Sequence, residues 1–244
     1  MLAWLKTHPF AVEAHFEHSL VLTFAVPRAE LAARLPAPLL VDSFDDEWGF
    51  VAVALVQTRQ LRPRGFPAAL GQDFFLLGYR AFVRYHTPGG KRLRGLYILR
   101  SETDQRRMSL LGNLFTHYRY HTVDIAQQTR AGRRRIASQR GHFHVELAAP
   151  VAEVALPPNS PFATWAEARR FAGPLPFTFS VAADKMLIVE GVREHWQPQP
   201  VAVASYHVGF FEQLGFSELR LANAFAVHDI PYSWKKGRTE QWQS

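Results

Sequence analysis

The chain has no cysteine, which excludes disulfides, thiolate metal sites, cysteine nucleophiles and iron–sulfur clusters. Lysine is nearly as scarce: Lys6, Lys91, Lys185, Lys235 and Lys236 are the only side-chain amines. Long hydrophobic runs are missing as well. Residues 50–56 form one of the longest, and a bilayer needs about 20 apolar residues. The first 19 residues carry Lys6, Glu13 and Glu17 and hold no continuous apolar stretch, so no leader segment is expected. A Walker loop, a dinucleotide glycine fingerprint and a serine elbow are all absent from the sequence, which leaves nucleotide hydrolysis and hydride transfer without support. The expectation is a cytoplasmic protein that needs no membrane and no cofactor.

What is present suits a globular chain. Of 244 residues, 48% are hydrophobic and 13% aromatic, enough to bury a core and too apolar for disorder. No composition shift or repeat divides the chain, so residues 1–244 are read as one domain. The net charge is +7. It is spread over small groups such as Arg62 and Arg64, Arg92 and Arg94, and Arg133 to Arg135 beside turn signals. No block of like charge is long enough for a nucleic-acid arm, so specific nucleic-acid binding is disfavoured.

Strand patterns dominate. Residues 19–26, 48–58 and 78–86 are apolar or alternating runs, and Pro88-Gly89-Gly90 turns the last of them into a partner at 94–100. Pro27 opens a short helix through Leu35. Asp104 is expected to cap another that ends at Gly112. Residues 116–127 read as a strand, 133–140 as its return, and 142–147 as a strand with Phe143, Val145 and Leu147 on one face. Thr164 and Glu167 have capping-box spacing for a helix stopped by Gly173-Pro174. Residues 177–181 and 186–194 form a hairpin. The tail from Val201 has no clear assignment. Many strands with few short helices imply a mainly β fold, a closed or nearly closed antiparallel barrel with short flanking helices; a sandwich is the alternative. A barrel of this size encloses a pocket for a small-molecule ligand. A homo-oligomer is left open.

Several segments together resemble a known family. They are residues 27–36, Trp48-Gly49-Phe50-Val51, Arg62-Pro63-Arg64-Gly65, Tyr79-Arg80-Ala81-Phe82-Val83, residues 97–104, 117–121, 138–140 and 165–171, and Glu194-His195-Trp196-Gln197-Pro198. In this order they are similar to the YqjF-like uncharacterised bacterial family. That family resembles the acetoacetate decarboxylase superfamily. The resemblance implies a cone-shaped β-barrel with flanking short helices and a central pocket, and it implies fold more strongly than activity.

Schiff-base decarboxylation needs a lysine whose neutral amine attacks a carbonyl. In the decarboxylases that lysine follows a short mid-chain helix. Here the stretch reads Asn113-Leu114-Phe115-Thr116-His117, without lysine. The decarboxylases also carry a glutamate on the strand that here holds Tyr79 and Arg80, where the nearby positions are Leu76 and Leu77. If this is an enzyme, lyase-like or hydrolase-like chemistry without that lysine is expected.

Arginine and histidine are the remaining candidates. Arg80 shares a strand face with Phe82 and Arg84. Its planar fork suits a ligand carboxylate, or pairs with an internal acid, Glu102 or Asp104. Tyr118, Arg119 and His195 are further ligand-binding candidates. His117 and His121, which share a face with Arg119, are acid–base candidates, as is Glu102; a surface-facing strand explains the histidines equally well. His142 and His144, two apart on a strand, face one way and could share an ion, though a solvent face explains them too. No metal is expected. The competing class is an interaction module that engages an acidic partner or nucleic acid through its basic surface.

Overall fold

The computed structural model describes residues 3–173 and 175–242. After a short 3-10 turn, the chain forms β1 (Val12–Pro27), α1 (Arg28–Ala32), β2 (Leu39–Val41), β3 (Trp48–Pro63), β4 (Gln72–His86) and β5 (Arg92–Thr103). Next come α2 (Arg106–Phe115), β6 (Tyr120–Thr122), β7 (Ala126–Arg130), β8 (Arg133–Ser138), β9 (Phe143–Leu147) and α3 (Trp165–Phe171). The remainder forms β10 (Phe177–Ala182), β11 (Lys185–Arg193), β12 (Gln199–Pro200), β13 (Val203–Val208), α4 (Gly209–Gln213), β14 (Arg220–Trp234) and β15 (Arg238–Gln241).

The protein is mainly β. In the large sheet the hydrogen-bonded order is β12, β14, β1, β3, β4, β5, β10, β11, β15; β2 adds to β4 and β6 to β5, and β11 also pairs with β14. A second sheet runs β13, β9, β8, β7. Pairing is antiparallel except where β5 meets β10 and β6. The strands β1, β3 and β4 are near-continuous apolar runs because both of their faces are buried. On one face Leu22, Val53 and Leu77 join a core that takes in Ile136, Phe143 and Val145 of the small sheet. On the other, Phe50 and Ala52 pack with Phe82 and Ala168, and Ala54 and Val56 with Phe16 and Phe225.

Several local expectations need correction. Asp104 does not cap α2: its carboxylate accepts from the Phe75 backbone N–H at 2.9 Å, and Gln105 stands at the cap. Gly112 lies inside the helix, buried, because a β-carbon there would meet the Tyr120 ring at 2.4 Å. Residues 116–127 are not one strand, since Arg119 adopts a positive φ of 54° and only β6 and the start of β7 are extended. The α3 cap does form. Thr164 accepts from the Glu167 N–H at 3.1 Å and Glu167 reaches back to the Ala163 N–H at 2.7 Å. Pro174, half of the expected stop, lies outside the described residues.

The small sheet docks onto β1 through Arg134, which contacts the His18 ring and donates to Gln127 at 2.8 Å. Burial, and then the Arg134 charge, hold His18 down to about 4. An imidazole depressed from 6.5 binds fewer protons folded than unfolded, so stability is full above pH 6.5 and is lost as pH falls toward 4. Discounted for the solvent that reaches the partly exposed ring, the expected loss is about 1–2 kcal/mol. His18→Gln should flatten this part of the stability profile in chemical denaturation at pH 7, 6, 5 and 4; an unchanged slope contradicts the assignment.

Candidate functional site

Arg80 sits mid-strand in β4, opposite Ala52 of β3. Its guanidinium folds back over Gly78, where any β-carbon would stand 3.1 Å from Nε and Nη2. Glycine at 78 therefore makes the room that the guanidinium occupies. Arg80 borders a cavity of about 200 Å³ walled mainly by apolar side chains, among them Phe16, Phe74, Leu76, Met108 and Trp234. Thr58, Tyr118 and Tyr120 add polar groups to the same cavity.

The segment after α2 delivers the two tyrosines. Asn113 clamps Tyr120 by its backbone, donating to its carbonyl and accepting from its N–H, each at 2.8 Å. Ser109 donates to the same carbonyl at 3.2 Å. The Tyr118 N–H donates to Thr116 Oγ1 at 3.2 Å. The two rings lie 6.4 Å apart. Burial raises the pKa of the Tyr118 phenol well above its ordinary value and pushes that of Tyr120 up to about 12, so both stay protonated at neutral pH and can donate.

The charge balance is the informative feature. Among the described residues Arg80 has no hydrogen bond or ion pair, and its buried Nε is unpartnered. Burial lowers its pKa, and only the phenols of Tyr232, Tyr120 and Tyr118 oppose the shift. No carboxylate faces it. Arg193 of β11 lies close enough to be disfavoured by the Arg80 charge. A guanidinium with a buried, unpartnered Nε and no facing carboxylate is costly.

Glu102 is not that group. In register it stands opposite Leu77, so its side chain leaves the sheet on the face opposite Arg80. There it is 0% exposed, accepts from the Tyr79 hydroxyl at 2.9 Å and pairs with Arg100 Nη2 at 2.7 Å. The expectation that Glu102 or Asp104 pairs with Arg80 is overturned by this alternation.

The other sequence candidates divide cleanly. Tyr118 joins Arg80 at the cavity. His117, partly exposed, and Arg119, exposed, border a separate cleft with Lys6. His121 is exposed, and burial followed by the Arg100 charge lowers its pKa. His195 is exposed in a turn with φ of 55°, while its neighbour Trp196 turns inward. The expected His142–His144 row does not form. His142 precedes β9 with φ of 47°, which breaks the alternation, and His144 instead stacks beside His207 at 5.9 Å. No cluster of three or more metal-ligating side chains exists among the described residues. Tyr120, Tyr232, Arg193 and Gly78 were missed. Tyr120 was legible as the same-face neighbour of Tyr118, whereas Tyr232 and Arg193 come together only through long-range pairing.

The lysines stay away from the cavity: Lys6, Lys91, Lys185, Lys235 and Lys236 are all exposed, and Lys235 pairs with Glu190 at 2.9 Å. No helix of the described residues is long and apolar enough to cross a membrane.

Comparison with known proteins bears on the family and the fold. A family model described as DUF2071, an uncharacterized conserved protein, matches residues 13–236. No curated protein matches the chain. Among solved structures, an acetoacetate decarboxylase from Legionella pneumophila is similar with a TM-score of 0.64 and 9% identity, over 95% of this chain and 88% of that one. An acetoacetate decarboxylase-like enzyme from Sphingomonas wittichii RW1 gives 0.57 and 15%, over 96% and 93%. The enduracididine biosynthesis enzyme MppR, complexed with pyruvate, gives 0.58 and 12%, over 95% and 90%.

Proposed function

Because the chain belongs to the DUF2071 family of uncharacterized conserved proteins and has the fold of acetoacetate decarboxylase-like proteins, we propose that it binds a small organic anion with an apolar body in the Arg80 cavity. The observation that carries this is the unpaired Arg80 guanidinium, its Nε buried, at the cavity shared with two phenolic donors. A ligand carboxylate supplies the absent negative charge, accepts from the fork of Arg80 and from the tyrosines, and leaves its apolar part among Phe16, Phe74 and Leu76. A cavity of about 150 Å³ is known to take one benzene ring, so an aromatic or short branched acid is the right scale.

The site is read as the interior of a closed barrel formed by β14, β1, β3, β4, β5, β10 and β11, in one domain. Two observations support closure: the pairings return from β11 to β14, and Arg193 on β11 senses Arg80 on β4, three strands away one way round and four the other. The pyruvate complex of MppR, a protein of similar fold, supports a small carboxylate as the ligand class. We also place the protein in the cytoplasm. Any reaction performed here proceeds without a Schiff base, because the cavity lining contains no lysine.

The test is calorimetry with benzoate, benzyl alcohol and benzylammonium as probes. Saturable binding of benzoate, at least tenfold tighter than the neutral or cationic analogue, is expected. Equal affinity for all three overturns the anion reading. In parallel, borohydride reduction in the presence of a β-keto acid should leave the intact mass unchanged; an adduct on any lysine contradicts the exclusion of Schiff-base chemistry.

A further inference from the structure

A second cavity, of about 100 Å³, lies beneath α3 and shares no lining residue with the Arg80 cavity. Trp165 and Arg169 of α3, Trp196, and Asn223 and Phe225 of β14 border it. The polar groups that Asn223 and Trp196 bring to it are unmatched. Asn223 is only 2% exposed, yet neither its Nδ2 nor its Oδ1 has a hydrogen-bond partner among the described residues. The Trp196 Nε1–H is buried and unpartnered as well. Thr23, directly opposite Asn223 in the β1–β14 pairing and 0% exposed, has an unpartnered hydroxyl. Buried polar groups are nearly always hydrogen-bonded, so three neighbouring exceptions call for an occupant.

We propose that this cavity is a second binding site, selective for a small amide or lactam. The donor and acceptor inventory sets the class. An asparagine amide presents an acceptor beside two donors. An anion satisfies Nδ2 and the indole but faces the Oδ1 lone pairs; a cation does the reverse. An adjacent carbonyl and N–H match both atoms of the side chain at once, and the Trp196 Nε1–H supplies a further donor to the ligand carbonyl. The walls suit a flat ring. The Trp196 indole is fixed by the Arg193 guanidinium 4.7 Å above it and by Phe225 in an edge contact at 6.0 Å. Trp165 is already committed, donating to the Val154 carbonyl at 2.6 Å.

The probe is 2-pyrrolidinone, with cyclopentanone as the isostere that lacks the N–H. The readout is the indole N–H resonance of Trp196 in the full chain, assigned by its loss in Trp196→Phe. The expected result is a saturable shift with 2-pyrrolidinone and at least tenfold weaker binding of cyclopentanone. Asn223→Leu should weaken 2-pyrrolidinone at least tenfold while benzoate binding is retained, which separates this site from the Arg80 cavity. If Asn223→Leu fails to fold, Trp196→Phe, read from the ligand signals, should weaken the lactam several-fold. Equal binding of the two probes, an affinity unchanged in the variants, or no saturable shift because water alone fills the cavity overturns the proposal.

Discussion

Arg80→Met is expected to raise the stability of the ligand-free protein while abolishing benzoate binding. The two effects have one cause. In the folded chain the guanidinium lies in a largely apolar cavity with an unpartnered Nε and no carboxylate within reach. Methionine fills similar space and removes the unpaired charge and its buried Nε donor. The gain should be about 1–3 kcal/mol, the scale of one buried unsatisfied donor, which corresponds to roughly 2–12 °C in Tm for a chain of this size. Arg80→Lys should keep the charge, lose the planar fork and bind benzoate at least tenfold more weakly. Thermal unfolding and calorimetry on the two variants read both effects. A large loss of stability in Arg80→Met means an internal acid neutralises the guanidinium, and the ligand reading fails.

Glu102→Ala should do the opposite and damage the fold without touching the cavity. Glu102 holds the Tyr79 hydroxyl and Arg100 in the seam where the small sheet covers the large one. Gly141 is part of this seam, since a β-carbon there would meet Glu102 Oε2 at 2.9 Å. Removing the carboxylate leaves a buried phenol and a guanidinium without their anion, and breaking such a pair costs about 3–5 kcal/mol. A fall in Tm of roughly 6–20 °C follows for a chain of this length. Glu102→Gln preserves the shape and an acceptor for Tyr79, and should cost less. Benzoate affinity, measured at a temperature where the variants remain folded, should match the parent. If stability is unchanged, or if benzoate binding collapses in a folded Glu102 variant, Glu102 belongs to the ligand site.

The contrast between these two residues marks what the sequence could and could not reveal. Long apolar runs and turn residues made β1, β3, β4 and the β10–β11 hairpin legible, because burial on both faces leaves little freedom in their composition. The face on which Arg80, Phe82 and Arg84 stand followed from alternation alone. The partner of Arg80 did not, because it depends on register: Glu102 falls opposite Leu77, and that parity sends the carboxylate to the other side. The tail after Val201 was opaque. Its 15-residue β14 carries Asn223 and Tyr232 and interrupts its apolar residues with Asn223, His228, Asp229 and Pro231. The site histidines were plausible by residue type only. Positive φ at Arg119, His142 and His195 changes the local direction of the chain at each, and side-chain spacing carries no trace of it. Among the sequence candidates, Tyr118 was the better guide, because it stands with Arg80 at the cavity.

The most direct test is a crystal structure with 4-bromobenzoate, read by the anomalous signal of bromine. The predicted result is one strong peak inside the cavity near Phe16 and Phe74, with the carboxylate within hydrogen-bond distance of the Arg80 guanidinium and the Tyr118 or Tyr120 hydroxyl. Bromine found only at the protein surface, with Arg80 paired to a carboxylate of the chain itself, would contradict the account.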